Sequence, residues 1–233
     1  MSSTAKRLAR INPHKTAFFV CDLQERFRLV IHSYPNVLQT AEKMIKAANI
    51  LDIPVIVTEQ APKFSPPPPH RHHAHPHKKP LGLVALGKTV PLPLEQLECP
   101  RLRPEWVPLA KTKFSMVVPQ VEEEIEKRGT KDVVLFGIES HVCVLQTALD
   151  LLEKDINVHV LADGVSSCNG DEVGIALKRM RDAGAQITTS ESILFQILHD
   201  AADPRFKALA GLIKEYKDST ANALTHLING RGF

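Results

Sequence analysis

Reactive side chains stand at three places in the 233-residue sequence where secondary structure can make use of them. The run Thr-Ala-Phe-Phe-Val-Cys (16–21) is apolar almost throughout and stops at Asp22, as a strand buried on both faces reads. Asp22 therefore sits at the carboxyl end of a strand, where open α/β sheets bind ligands. Taken alone it reads first as a helix-capping or loop aspartate. Cys143 opens a helical stretch that follows another apolar run, Asp-Val-Val-Leu-Phe (132–136). The N-terminus of a helix lowers a thiol's pKa through its dipole and unpaired N–H groups. The same N–H groups can stabilise an oxyanion formed by attack on a carbonyl. The plainer reading of a free cysteine is an inert core residue. Lys111 and Lys113, in Leu-Ala-Lys-Thr-Lys-Phe-Ser-Met (109–116), read by themselves as surface lysines.

The elements needed to position these groups follow from periodicity. Val37, Ala41, Met44, Ile45, Ala48 and Leu51 recur at helical spacing, and residues 54–58 read as a second buried strand. Strand, helix, strand over about 40 residues is a βαβ unit, which requires parallel pairing. The second half repeats the pattern. Helices are predicted over 118–128, 141–154 and 171–183, and one more to His199 with Ser190 as its cap; strands are predicted over 132–136, 157–161 and 186–189. This alternation predicts a three-layer α/β/α fold, with a mostly parallel sheet of about six strands and helices on both faces. We read residues 1–233 as a single domain carrying a surface insertion at about 62–108 and a weakly patterned tail from about 218.

The insertion accounts for the chain's unusual composition. Twelve of the seventeen prolines and five of the eleven histidines (His70, His72, His73, His75 and His77) lie in it. It also carries seven Lys/Arg against three Asp/Glu, so the remainder of the chain is slightly acidic although the whole is +3. Global charge is thus no argument for a polyanionic partner. Proline at that density forbids a packed helix or central strand, and a loop without fixed geometry makes the histidines a poor metal site. No stretch approaches the roughly 18 apolar residues of a membrane helix. The four cysteines form no CxxC pair, which fits a reduced, cytoplasmic setting. Residues 1–15 hold four Lys/Arg and no acid, a start that also resembles a mitochondrial transit peptide.

Three segments together resemble the isochorismatase-like, or cysteine hydrolase, superfamily: residues 20–27 (Val-Cys-Asp-Leu-Gln-Glu-Arg-Phe), 111–116 (Lys-Thr-Lys-Phe-Ser-Met) and 134–149, which contains Gly-Ile-Glu-Ser-His-Val-Cys-Val. The likeness continues through 160–167 and 188–191 and is nearest to the isochorismatase domain-containing proteins of eukaryotes. It implies a catalytic set of Asp22, Lys111 and Cys143, on the motifs Asp-x-Gln, Lys-x-x-x-Ser and Cys-Val-x-x-Thr-Ala. It also implies a cis peptide at Ile138–Glu139, turning the Glu139 N–H toward the same oxyanion as the Cys143 N–H. Gln24, Phe27 and Ser115 are implied as substrate-positioning groups. In the resulting mechanism Asp22 takes the thiol proton, Lys111 offsets negative charge, and the thiolate attacks a carbonyl to give an acyl-enzyme.

Two departures narrow the reaction. The metal-binding Asp-x-His of nicotinamidases is replaced here by Thr58-Glu59-Gln60, so no cofactor and no catalytic metal are expected. True isochorismatases lack the cysteine, which argues against vinyl-ether hydrolysis. The expectation is a hydrolase of a small amide or ester, as a homo-oligomer. The rival is a non-catalytic or RNA-associated mitochondrial protein, since some protozoan relatives carry a mitochondrial-ribonuclease name. Nucleic acid is disfavoured by the absence of an aromatic stacking platform, with one tryptophan and two tyrosines in the chain. Because loop entropy rather than packing should govern the insertion, replacing residues 66–79 by a short Gly/Ser linker should leave the thermal midpoint nearly unchanged. A large loss in a calorimetric scan would show that this segment packs on the core.

Overall fold

The computed structural model describes residues 10–60 and 108–229. The Pro/His-rich insertion and its histidines lie outside the described residues, apart from its last position. Six strands form one sheet: β1 (Thr16–Cys21), β2 (Val55–Gln60), β3 (Leu109–Lys111), β4 (Asp132–Ile138), β5 (Asn157–Ser166) and β6 (Gln186–Thr188). Their order is β3-β2-β1-β4-β5-β6 and every pairing is parallel. The order reverses between β1 and β4, so their carboxyl ends frame the crevice in which such sheets bind ligands.

The helices are α1 (Tyr34–Leu51), α2 (Pro119–Arg128), α3 (Leu145–Glu153), α4 (Gly170–Asp182), α5 (Ser190–Leu198), α6 (Phe206–Glu215) and α7 (Lys217–Leu227). Alternation along the strands divides the core in two. Phe18 and Val20 of β1 pack with Val134 and Phe136 of β4 beneath α1, α5, α6 and α7. Ala17, Phe19 and Cys21 face the other way with Val133 and Leu135, beneath α2, α3 and α4. Cys21 and Cys143 thus belong to the same layer.

Several expectations are corrected. Residues 109–111 form an edge strand, held by pairing with β2 rather than by any apolar pattern of their own. The stretch 141–154 opens with one π-helical turn, Ser140–Val144, before α3 begins. Thr189, not Ser190, caps α5, its side chain accepting from Ser192 N–H; Ser190 is spent on Asp163, donating through both its N–H and its hydroxyl. The tail is not weakly organised, for α7 buries Thr220, Ala223 and Leu227. Thr220 accepts a 2.7 Å hydrogen bond from Lys43 of α1, whose ammonium is buried and pushed down in pKa by that burial. Asp163, equally enclosed, is pushed up by burial against the pull of Ser190 and Lys43.

Gly137 is the position where the two site strands meet most closely. It pairs with Cys21 and has φ +134°, and an added Cβ would overlap the Cys21 backbone. Gly137→Ala should therefore cost about 3 kcal/mol or more in urea unfolding. Gly211→Ala, on the exposed side of α6 with open space around it, should instead gain about 0.5–1 kcal/mol. Equal effects at the two positions would refute this account of Gly137.

Candidate active site

Asp22 leaves β1 at φ 53°, a left-handed turn, and is 1% exposed. Its Oδ1 accepts from the Thr58 hydroxyl at 2.8 Å, and its Oδ2 from Lys111 Nζ at 2.7 Å. Lys111 ends the edge strand β3 with its side chain fully buried. Its ammonium also donates to Gln60 Oε1 at 2.7 Å and to the carbonyls of Phe114 at 2.8 Å and Lys113 at 3.2 Å. An ammonium taken out of water needs this degree of compensation. Lys113, by contrast, is partly exposed and pairs with Asp150 at 2.6 Å, an ordinary surface lysine.

Cys143 sits in the π turn after β4 and is nearly enclosed. The turn is launched by Glu139 at φ 58°, ψ 61°, whose carbonyl accepts from Val142 N–H at 2.9 Å and Val144 N–H at 3.2 Å. The cis peptide expected at Ile138–Glu139 is not found: no peptide among the described residues is cis. The left-handed conformation of Glu139 reverses the chain with a trans bond, which removes the reason to assign its N–H to an oxyanion.

The lysine loop and the cysteine turn are bolted together. Met116 N–H donates to Thr147 Oγ1 at 2.9 Å, and that hydroxyl donates to the Cys143 carbonyl at 2.7 Å. Thr147 and Thr58 were missed as site residues because buried threonines leave no periodic mark; Gln60 was noticed only as a non-ligand. Gln24 holds Gln60 by its backbone, accepting from its N–H at 2.9 Å and donating to its carbonyl at 3.4 Å. It therefore positions the lysine's partner. Ser115 is fully buried, and its Oγ accepts from Val117 N–H at 3.1 Å, shaping the loop. Phe27 packs against the α1 side of the core.

One unanticipated group joins the set. The Cys21 thiol approaches Asp22 Oδ2 at 3.7 Å and lies within interaction range of Cys143. Burial pushes its pKa well up, reinforced by Cys143 and by the Asp22 carboxylate. Cys21 therefore resists ionisation beside the Asp22 carboxylate.

The family comparisons agree with the geometry. Residues 16–192 match the isochorismatase domain. The "Secreted isochorismatase effector Isc1" of Phytophthora sojae is 41% identical over 218 residues, 93% of this chain and 92% of that protein. Human "Isochorismatase domain-containing protein 2" is 38% identical, over 92% of this chain and 91% of its own. A solved structure of "MAR1 Ribonuclease" from Caenorhabditis elegans is 42% identical with a TM-score of 0.72, covering 88% of this chain and 93% of that one. The chain belongs to the isochorismatase family, and that membership supports hydrolase chemistry in general. Among the described residues no helix is long and apolar enough to cross a membrane.

Alkylation distinguishes the thiols. With iodoacetamide near neutral pH, peptide mapping should find Cys143 labelled first. Cys21 should stay unmodified and exposed Cys168 should react slowly, since burial and the Glu139 carboxylate push its thiol up as well. Labelling of Cys21 at the rate of Cys143 would remove the distinction.

Proposed function

We propose that this protein is a cysteine-dependent hydrolase of a small amide or ester, working through a covalent acyl-enzyme. The observation that supports it most is the buried Lys111–Asp22 pair, 2.7 Å apart, at the strand ends where Cys143 opens its turn. Asp22 takes the Cys143 proton, directly or through the Cys21 thiol, and the thiolate adds to the substrate carbonyl. In this reading the Cys143 N–H, in the opening turn after β4, stabilises the charge that develops on oxygen. As the tetrahedral intermediate collapses, the C–N or C–O bond breaks and the leaving group departs with the proton held by Asp22. Water then gives a proton to Asp22, attacks the thioester and releases the acid, and the proton returns to sulfur. Lys111, 2.7 Å from Asp22, offsets negative charge between these transfers. No metal is required by these steps, because the nucleophile is sulfur rather than bound water.

A second reading comes from the Caenorhabditis elegans relative, named as a ribonuclease. RNA cleavage needs an acid and a base disposed around a phosphate, whereas the groups assembled here are a carboxylate, an ammonium whose three N–H groups are shared among four acceptor oxygens, and thiols.

A panel of small amides, small esters and single-stranded RNA, tested on wild type and Cys143→Ala, separates the two. Hydrolysis of an amide or ester should vanish in Cys143→Ala and fall at least about 10²-fold in Asp22→Asn and Lys111→Met. Intact-mass spectrometry of quenched turnover should show the acyl adduct on the Cys143 peptide. RNA cleavage that survives Cys143→Ala, with no amide or ester turned over, would overturn the proposal.

A further inference from the structure

A second group of metal-ligating side chains lies on the turn that carries Cys143 and uses none of the groups assigned above. Glu139 caps that turn and His141 lies within it, and Cys168 stands two residues beyond the end of β5 at Ser166. One ligand atom from each of the three lies within 4.8 Å of the others. Glu139 Oε2 is shut off from solvent and accepts no hydrogen bond. A carboxylate oxygen left so costs free energy that a cation would recover. Its neighbour is His141 Nδ1, at 3.4 Å. Two ligands on one zinc ion, each about 2.1 Å from it, stand roughly 3.4 Å apart across a tetrahedral edge.

From this we propose a zinc-type site formed by Glu139 Oε2, His141 Nδ1 and Cys168 Sγ. The donor set decides the ion. Carboxylate, imidazole and thiolate together suit zinc or cobalt, whereas magnesium and calcium take oxygen ligands. Three protein ligands leave a fourth position for water. Cys168 is exposed and gives the ion its path of entry. Ser167 Oγ stands 2.9 Å from His141 Nδ1 and 2.6 Å from Ser140 Oγ, so its proton can pass to Ser140 when the metal takes the imidazole nitrogen. Occupancy would tie the Cys143 turn to the end of β5 and brace the site from outside. This site stands independently of the hydrolase reading and of the insertion's histidines.

The test uses Co²⁺ added to the full-length, reduced protein in which His70, His72, His73, His75 and His77 are all replaced by Asn. The readout is the sulfur-to-cobalt charge-transfer absorption, which a site without thiolate cannot give. The parent should show that band. Cys168→Ser should abolish it, Glu139→Gln and His141→Ala should weaken Co²⁺ binding about tenfold or more, and Cys143→Ser should leave it in place. Zinc should displace the cobalt and raise the thermal midpoint of the parent but not of Cys168→Ser. Absence of the band, its persistence in Cys168→Ser, or its dependence on Cys143 would each overturn the assignment. Cys168 is on the surface, so its serine variant tests ligation and not folding.

Discussion

An ion pair sealed from water constrains everything around it. Lys111 Nζ and Asp22 Oδ2 meet at 2.7 Å with side chains 0% and 2% exposed. Removing two charges from water costs several kcal/mol each, and a well-packed apolar pair is often as stable or more so. Stability alone therefore does not account for the pair. What it requires is a complete shell of partners, and five residues from three segments supply it: Thr58 and Gln60 of β2, the carbonyls of Lys113 and Phe114, and Gln24, which fixes Gln60. Thr58 and Gln24 are buried side chains, whereas Lys113 and Phe114 are exposed residues that contribute only their backbone carbonyls. Loss of any one would strand a charge in a medium that cannot solvate it.

The sheet order explains how groups so distant in sequence arrive together. Asp22 and Lys111 are 89 residues apart, but β1 and β3 flank β2, and parallel pairing brings all their carboxyl ends to one rim. Cys143 reaches the same rim on β4, the neighbour of β1 across the reversal. The close approach at Gly137 and Cys21 sets that spacing, and Thr147 then clamps the lysine loop to the cysteine turn. The rim is thus held on both sides, by backbone contact within the sheet and by hydrogen bonds above it.

What the residues disclosed in advance follows from which interactions leave a pattern. The buried parallel strands read as apolar runs, so β1, β2 and β4 were legible along with the sheet class. β3 was not, because three residues of an edge strand owe their form to pairing alone. The helix α7 was passed over because its inward positions are Thr220, Ala223 and Leu227, only one of them a large apolar residue. At the candidate site, Asp22, Lys111 and Cys143 are named by motif, and the structure brings Asp22 and Lys111 into contact. Thr58, Gln60 and Thr147 act through single hydrogen bonds, which no periodicity announces. The turn at Glu139 was read as needing a cis bond, and a left-handed residue performs the same reversal with a trans one.

Two thiols at one carboxylate pose a question of division of labour, and their surroundings answer it. Cys21 is the last residue of a strand buried on both faces, without a helix end behind it, and burial works against its ionisation. Cys143 lies in the first turn of a helix, where backbone N–H groups and the helix dipole favour negative charge. Cys21 therefore holds its proton firmly. Under the proposed mechanism, a thiol beside Asp22 that can accept one proton as it gives up another would be a relay rather than a competitor. Under the proposed mechanism, the enclosure that keeps Lys111 paired would leave Cys21 protonated and Cys143 to act as the nucleophile.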